Sequence, residues 1–215
     1  LSSLIVGSAI NAEYGYDEGS GKEIQFYSIT GFAQQTESQV VVVDMMSPCL
    51  QRVDRKTKQI SLLLGNCSSF GQASASIFQW PFSIILNKNN PDQIFVTDGE
   101  TNSFWMVDLD KSNISRLVKH YPEPMFGVLQ DWSSADYLYL TFSHGVAKYN
   151  YQNSAQPVNI TGSADNGFTD GPFETAKFNN PGGMVLLSAT TLVVADQDNN
   201  RSEERRVGKE CRSRW

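Results

Sequence analysis

The feature that most limits what this chain can become is a pattern that recurs along it. Residues 15–44 and 167–196 match without a gap at an offset of 152 residues, with Phe26 answering Phe178, Gly31 answering Gly183 and Asp44 answering Asp196. Two further copies emerge when the end of the apolar run is used as an anchor: 40–44 (VVVVD), 94–98 (IFVTD), 137–141 (YLYLT) and 192–196 (LVVAD). Nine residues past the anchor stand Val53, Val107 and Asn150, and twenty-one past it stand Gly65, Lys119 and Gly162. An aromatic precedes each anchor by eighteen or twenty residues, at Phe26, Phe78, Tyr121 and Phe178, and Pro81, Pro124 and Pro181 follow it in the last three copies. Self-similarity of this kind implies a small unit that buries its apolar face only by stacking on its neighbours.

Within a unit the apolar runs are four to six residues long and separated by Asn, Asp, Gly, Ser and Lys, which tolerate the backbone conformations of tight turns. The first strand is predicted at 81–86 and its equivalents, and the second is the anchor run. Third strands fall near 50–53, 104–109 and 146–151, and fourth strands near 60–64, 114–118 and 158–161. The nearly continuous apolar run at 40–43 suits a strand buried on both faces between neighbouring sheets. Helix signals are almost absent. The expected fold is therefore all-β, a β-propeller of four-stranded antiparallel blades with about three and a half blades in this chain. Residues 1–7 read as the last strand of a preceding blade, 24–65, 76–119 and 121–162 as complete blades, and 176–200 as the first half of another. Residues 1–12 admit a second reading as the end of a signal peptide, with a short apolar stretch and small residues near Ala12. Because the second strand of a unit returns to the end from which the first departs, second-to-third turns and the linkers 8–23, 66–76 and 163–175 share one face.

The last fifteen residues, RSEERRVGKECRSRW, continue no repeat position beyond the first residue or so and resemble the in-frame translation of a common sequencing-library adapter. They are expected to pack against nothing. Setting aside their six basic and three acidic residues takes the net charge from −6 to −9. An acidic surface without a basic, aromatic-interleaved stripe argues against nucleic acid and against anionic lipid. No apolar run reaches the ~20 residues a membrane-spanning helix needs, so no membrane insertion is expected.

The succession of an aromatic, Pro-Gly, an apolar strand, VAD and a following Asn-Asn in residues 178–200 resembles the NHL repeat. Asp98 with Asn102 is the next best match, Asp44 lacks the following Asn, and the third unit has Thr141 where the family has Asp. The resemblance implies a propeller, commonly six-bladed, often extracellular or attached to larger proteins. Most family members are interaction modules and a few are enzymes, such as the peptidyl-amidoglycolate lyase domain.

The recurring Asp44, Asp98 and Asp196 are read as structural, each accepting backbone N–H groups in the turn that follows. No metal site and no cofactor is expected: the acidic clusters lack the spacing of a calcium loop, and the chain has only His120 and His144 with no GxSxG or HExxH motif. Cys49 and Cys67 follow the second and fourth strands of one blade; their strands lie roughly 10 Å apart, against the ~5.5 Å Cα separation of a disulfide, which leaves open a bond or two buried thiols. Three sequons, at Asn66, Asn113 and Asn159, fall at or just past outer strands and, with the cysteine pair, favour an extracellular or lumenal location. Met45, Met46, Glu100, Phe142, His144 and Gln197 lie just beyond the anchors and are the candidate contact residues of the blade-linker face. The expectation is a non-catalytic module binding a protein or glycan partner through that face. The rival is a piece of a propeller enzyme, a metal-dependent lyase or lactonase, whose ligands lie largely in other blades.

Overall fold

The computed structural model describes residues 26–67, 77–110, 113–118, 121–131, 133–153, 156–162, 165–172, 175–206 and 209–213, with backbone alone at 113, 115 and 203–213. The strand expected at 1–7, the signal-peptide reading, His120 and most of the linkers at 8–23 and 66–76 lie outside them.

Among the described residues sixteen strands form four antiparallel sheets, each a simple meander. The first contains β1 (Ile29–Gln34), β2 (Gln39–Asp44), β3 (Cys49–Asp54) and β4 (Gln59–Gly65). The second contains β5 (Pro81–Leu86), β6 (Gln93–Asp98), β7 (Ser103–Asp108) and β8 (Asn113–Val118). β9 (Met125–Gln130), β10 (Tyr137–Phe142), β11 (Gly145–Asn150) and β12 (Val158–Thr161) make the third. The fourth has β13 (Pro181–Ser188), β14 (Thr191–Asp196), β15 (Arg201–Arg206) and β16 (Lys209–Ser213). First strands of consecutive sheets lie against one another, β1 on β5, β5 on β9 and β9 on β13, so the sheets follow one another in a propeller-like arrangement.

The core sits in the seams between sheets. Ala33, Val41, Val43 and Leu50 pack with Phe78, Ile84, Ile94, Val96 and Val107 across the first seam. Phe95 and Phe104 meet Val128, Leu138, Leu140 and Tyr149 across the second, and Tyr139 meets Phe178, Leu186, Leu192 and Val194 across the third. The second strands of the first three sheets thus bury both faces, as the β-branched run 40–43 requires.

Two expectations are corrected. Residues 201–206 and 209–213 do not stand apart: β15 pairs with β14 from Arg201 opposite Asp196 to Arg206 opposite Thr191, and β16 pairs with β15, completing the sheet that was expected to be a half. The exposed edge of β14 offers a row of N–H and C=O groups that an adjoining chain of any composition can satisfy, so strand pairing is blind to the repeat pattern. Backbone pairing says nothing of where the segment's sequence comes from. The second correction concerns register. β10 runs one residue past Thr141, and Phe142 opposite Gly145 holds the place that Asp98 opposite Ser103 holds in the second sheet. Thr141 is the counterpart of Thr97.

Candidate functional site

The site is built from the ends of second strands. Asp44, Asp98 and Asp196 are buried (0–2 % exposed). One oxygen of Asp44 accepts the N–H groups of Ser28, Met46 and Ser47 at 3.0–3.1 Å, and the other accepts that of Tyr27 at 2.6 Å. Asp98 accepts from Gln79, Trp80 and Thr101 at 2.8–3.2 Å. Asp196 accepts from the Asn179 N–H at 2.8 Å, from Asn199 Nδ2 at 2.8 Å and from Arg201 Nε at 2.9 Å. Each carboxylate therefore ties the approach to its first strand to the strand end or turn of its second, and its lone pairs point at donors within the fold. Among the described residues no group of three or more His, Cys, Asp or Glu is placed to hold a metal ion.

The turn after the aspartate has four residues in the first, second and fourth sheets. Asn102 and Asn200 close two of these turns at φ 48° and 51°, the left-handed region Asn tolerates. Pro48 closes the first, and its ring forbids that conformation, which explains why Asp44 lacks the Asn that follows its relatives. In the third sheet the turn is only Ser143-His144. With no four-residue turn to cap, an aspartate there would lack its N–H partners, and Phe142 stands in its place. Phe142 is 2 % exposed, with its ring 5.5 Å from that of Tyr121. It is part of the interior and not of the contact face on which the sequence placed it.

The other five candidates lie in the second-to-third turns. Met45 donates its N–H to Ser28 O, Gly99 to Trp80 O, Tyr121 to Asn102 O, Asn180 to Ser143 O and Asp198 to Asn179 O, all at 2.8–3.1 Å, so every turn rests on an approach segment. Met46, Glu100 and Gln197 are exposed, while Met45 and His144 are half-buried. His144 Nδ1 lies 2.9 Å from Glu123 Oε2, although neither atom is angled for a linear hydrogen bond. Tyr121 donates to Asn159 Oδ1 at 2.6 Å; burial, with the Glu123 charge adding to it, pushes the Tyr121 phenol up to about 12.

A set of residues that no sequence pattern singled out lies at the same end. All four first strands carry a one-residue bulge beside the anchor, leaving Thr30, Phe82, Phe126 and Gly182 as the extra residues. A bulge re-aims the side chain it carries. Phe82 and Phe126, from neighbouring sheets, meet edge to face at 5.3 Å, and Trp80, just before the second bulge, is 45 % exposed. A Cβ on Gly99 would sit 3.7 Å from the Phe126 ring, so the turn after Asp98 lies beside that ring. The same bulges are clasped between sheets. Thr97 Oγ1 accepts Ser83 N–H and donates to Phe126 O in the next sheet. Thr141 Oγ1 accepts Gly127 N–H and donates to Gly182 O.

Cys49 and Cys67 are bonded, with a Cα–Cα separation of 5.2 Å. The strands are brought within reach because Cys49 pairs directly with Gly65, whose φ of 93° turns the chain back over β3. Asn66 and Asn159 are exposed, while the Asn113 side chain lies outside the described atoms. No helix among the described residues is long and apolar enough to cross a membrane.

No protein-family model and no curated protein matches the chain. Solved structures do. A structural-genomics protein of unknown function from Bacteroides thetaiotaomicron is 14 % identical with a TM-score of 0.73, over 98 % of this chain and 48 % of its own. An auxiliary nutrient binding protein from Bacteroides ovatus is 12 % identical with a TM-score of 0.69, over 92 % of this chain and 48 % of its own. The extracellular domain of a candidate hybrid two-component system from B. thetaiotaomicron is 12 % identical with a TM-score of 0.56, over 87 % of this chain and 22 % of its own. These likenesses concern the fold, and the chain spans about half the length of the first two.

Proposed function

We propose that the chain is an NHL-like propeller segment that works as an extracellular recognition module, binding a glycan or protein through the face formed by linkers and second-to-third turns. The observation that carries this reading is the placement of Trp80, Phe82 and Phe126. Large aromatics held at one end of the seams by repeated bulges, with one indole 45 % exposed, are more than solubility asks of a surface. Their rings supply rigid contact area at little entropic cost, and Met46 and Glu100 in neighbouring turns supply an adaptable apolar group and an acceptor. The bonded Cys49 and Cys67 and the exposed sequon residues Asn66 and Asn159 support an extracellular setting. By description one neighbour in fold is an extracellular domain and another is a nutrient binding protein, which agrees with a recognition module.

The test is a panel of immobilised neutral oligosaccharides and peptides probed with wild-type chain and with the Trp80→Ala/Met46→Ser variant, both positions being exposed. Loss of every wild-type hit in the variant, with an unchanged melting temperature, is expected. Hits retained by the variant would move recognition away from this face.

A further inference from the structure

Twice the chain completes the same small grouping, a ring, a carboxylate and a cation that serves both. The Arg201 guanidinium lies 4.0 Å over the Phe168 ring and bonds Asp170 at 2.8 Å and Asp196 at 2.9 Å. Lys148 Nζ lies 4.6 Å over the Tyr137 ring and 3.3 Å from Asp131. A third aromatic and a third acid are brought together at the turn after Asp98. Trp80 O accepts the Gly99 N–H at 3.0 Å, and one Asp98 oxygen takes the N–H groups of both Trp80 and Thr101, at 3.1 and 3.2 Å. Trp80 is thereby tied to the residues on each side of Glu100, so the two stretches of main chain run side by side. The Phe126 ring borders the same turn, 3.7 Å from where a Gly99 Cβ would be, and Phe82 meets that ring at 5.3 Å.

Here the described chain supplies no cation. Among the described residues no basic side chain lies over the Trp80 ring, and the exposed Glu100 has no ion pair. The turns 45–48, 99–102, 143–144 and 197–200 and the approaches 26–28, 77–80, 121–124 and 177–180 contain no arginine and one lysine, Lys177, which pairs with Asp165 at 3.6 Å. Of the acids in those segments, Asp198 accepts Asn180 Nδ2 at 2.7 Å and Glu123 lies 2.9 Å from His144, which leaves Glu100. Trp80 is 45 % exposed. It immediately precedes β5, which lies between β1 and β9, so this exposure is not that of an outermost sheet. The geometry points to a ligand that brings the cation itself: an arginine side chain of a peptide, its guanidinium stacked on the Trp80 indole and paired with Glu100. A guanidinium serves both partners at once, because its plane matches the ring and its N–H fork matches the carboxylate. A neutral sugar can stack on the indole but leaves the Glu100 charge unanswered. The net charge of −6 draws a basic peptide toward the chain. This inference rests on the recognition reading of the turn face and names the chemistry that the face takes.

Nitrogen–proton NMR spectra of the full chain test it, titrated with acetyl-Gly-Gly-Arg-Gly-Gly-amide and with the same peptide carrying citrulline in place of arginine. The Trp80 indole signal, identified by its loss in Trp80→Ala, is expected to shift saturably with the arginine peptide. It should stay in place with the citrulline peptide, which keeps the shape and loses the charge. Glu100→Gln should weaken the arginine peptide about fivefold, and Glu37→Gln, at an exposed acid of the β1–β2 turn, by less than about twofold, because the pairing is local and distant charges are screened. Equal shifts from both peptides, or equal weakening by both variants, overturn the inference, as does a Trp80 signal silent to the arginine peptide. If that silent signal moves with a neutral oligosaccharide of the panel, the cation fails and the recognition face stands. If it is silent to every probe and the panel loses no hit in Trp80→Ala/Met46→Ser, the recognition reading fails with it.

Discussion

The second and third sheets are built from the same four strands with the same bulge and the same threonine clasp, yet they end their second strands in opposite ways. The second closes a four-residue turn over Asp98, whose carboxylate collects three backbone N–H groups. The third closes a two-residue turn beside Phe142, a buried ring against Tyr121. Aspartate is thus present where a turn leaves donors to satisfy and absent where it does not. Its recurrence follows turn length and asks for no ligand. A second contrast lies at the other end. Asn87 and Asp131 follow β5 and β9 at the same register, each donating its N–H across the hairpin, to Gln93 O and Tyr137 O. Each also accepts the N–H two residues on, Asn89 and Ser133. One is neutral and the other is a carboxylate that also accepts from Tyr139 and Lys148.

The largest expected effect comes from forcing each sheet to use the other's solution. Phe142→Asp should prevent the third sheet from forming, because it buries a carboxylate with no turn donors and removes the Tyr121 contact; Phe142→Ala alone should cost about 3–5 kcal/mol by urea unfolding. If Phe142→Asp melts within a degree of Phe142→Ala, the turn is not what excludes aspartate. Asp98→Ala, which strands three donors, should cost about 3–4 kcal/mol, with Asp98→Asn recovering part of it. Added calcium should leave both values unchanged, and a calcium-dependent melting temperature in wild type that Asp98→Ala abolishes would restore the metal reading.

Thr97→Val and Thr141→Val should cost about 1–2 kcal/mol each, with the double variant additive to within about 0.5 kcal/mol, since the clasps sit in different seams. Strong coupling between them would mean that the sheets do not act as separate units.

The smallest effect separates Asn87 from Asp131. Burial pushes the Asp131 carboxyl up, but hydrogen bonds from Ser133, Lys148 and Tyr139 outweigh it and hold the group below its ordinary value. A carboxylate lowered on folding stabilises the fold above the unfolded value of ~3.9, and that contribution disappears as pH falls through the folded value. Asp131→Asn should therefore lose about 1–2 kcal/mol at neutral pH and show a shallower decline in acid. Asn87→Ala should leave the shape of the acid limb as it is. An unchanged acid limb in Asp131→Asn would assign acid sensitivity elsewhere.

The strands were legible because their apolar runs are short and bounded by turn residues; β5 and β12 fall at the positions read from sequence. Three things were not. The third unit's register slipped by one because Thr141 looked like a substitute for Asp, whereas an apolar strand that continues into Phe142 carries no marker of its end. The bulges are invisible in one dimension, since an extra residue is extra only relative to its pairing partner, and so Phe82 and Phe126 went unnoticed as a pair. The cysteine bond is open in the sequence because loop ends can bring the two Cα atoms together or leave them apart, and only the positive φ of Gly65 decides that the chain folds back.

The buried carboxylates have one more consequence, for variation. At Asp44 and Asp98 the donors come from the main chain, so the acid holds the path of the turn while being indifferent to the side chains strung along it. Met45-Met46, Gly99-Glu100 and Gln197-Asp198 occupy equivalent stations and share no chemistry. A surface arranged this way can exchange its vocabulary one turn at a time without renegotiating the grammar beneath, much as antibody loops change on a constant framework. For this molecule it means that new specificities are to be sought by randomising the first two residues after each aspartate, leaving the aspartate itself alone.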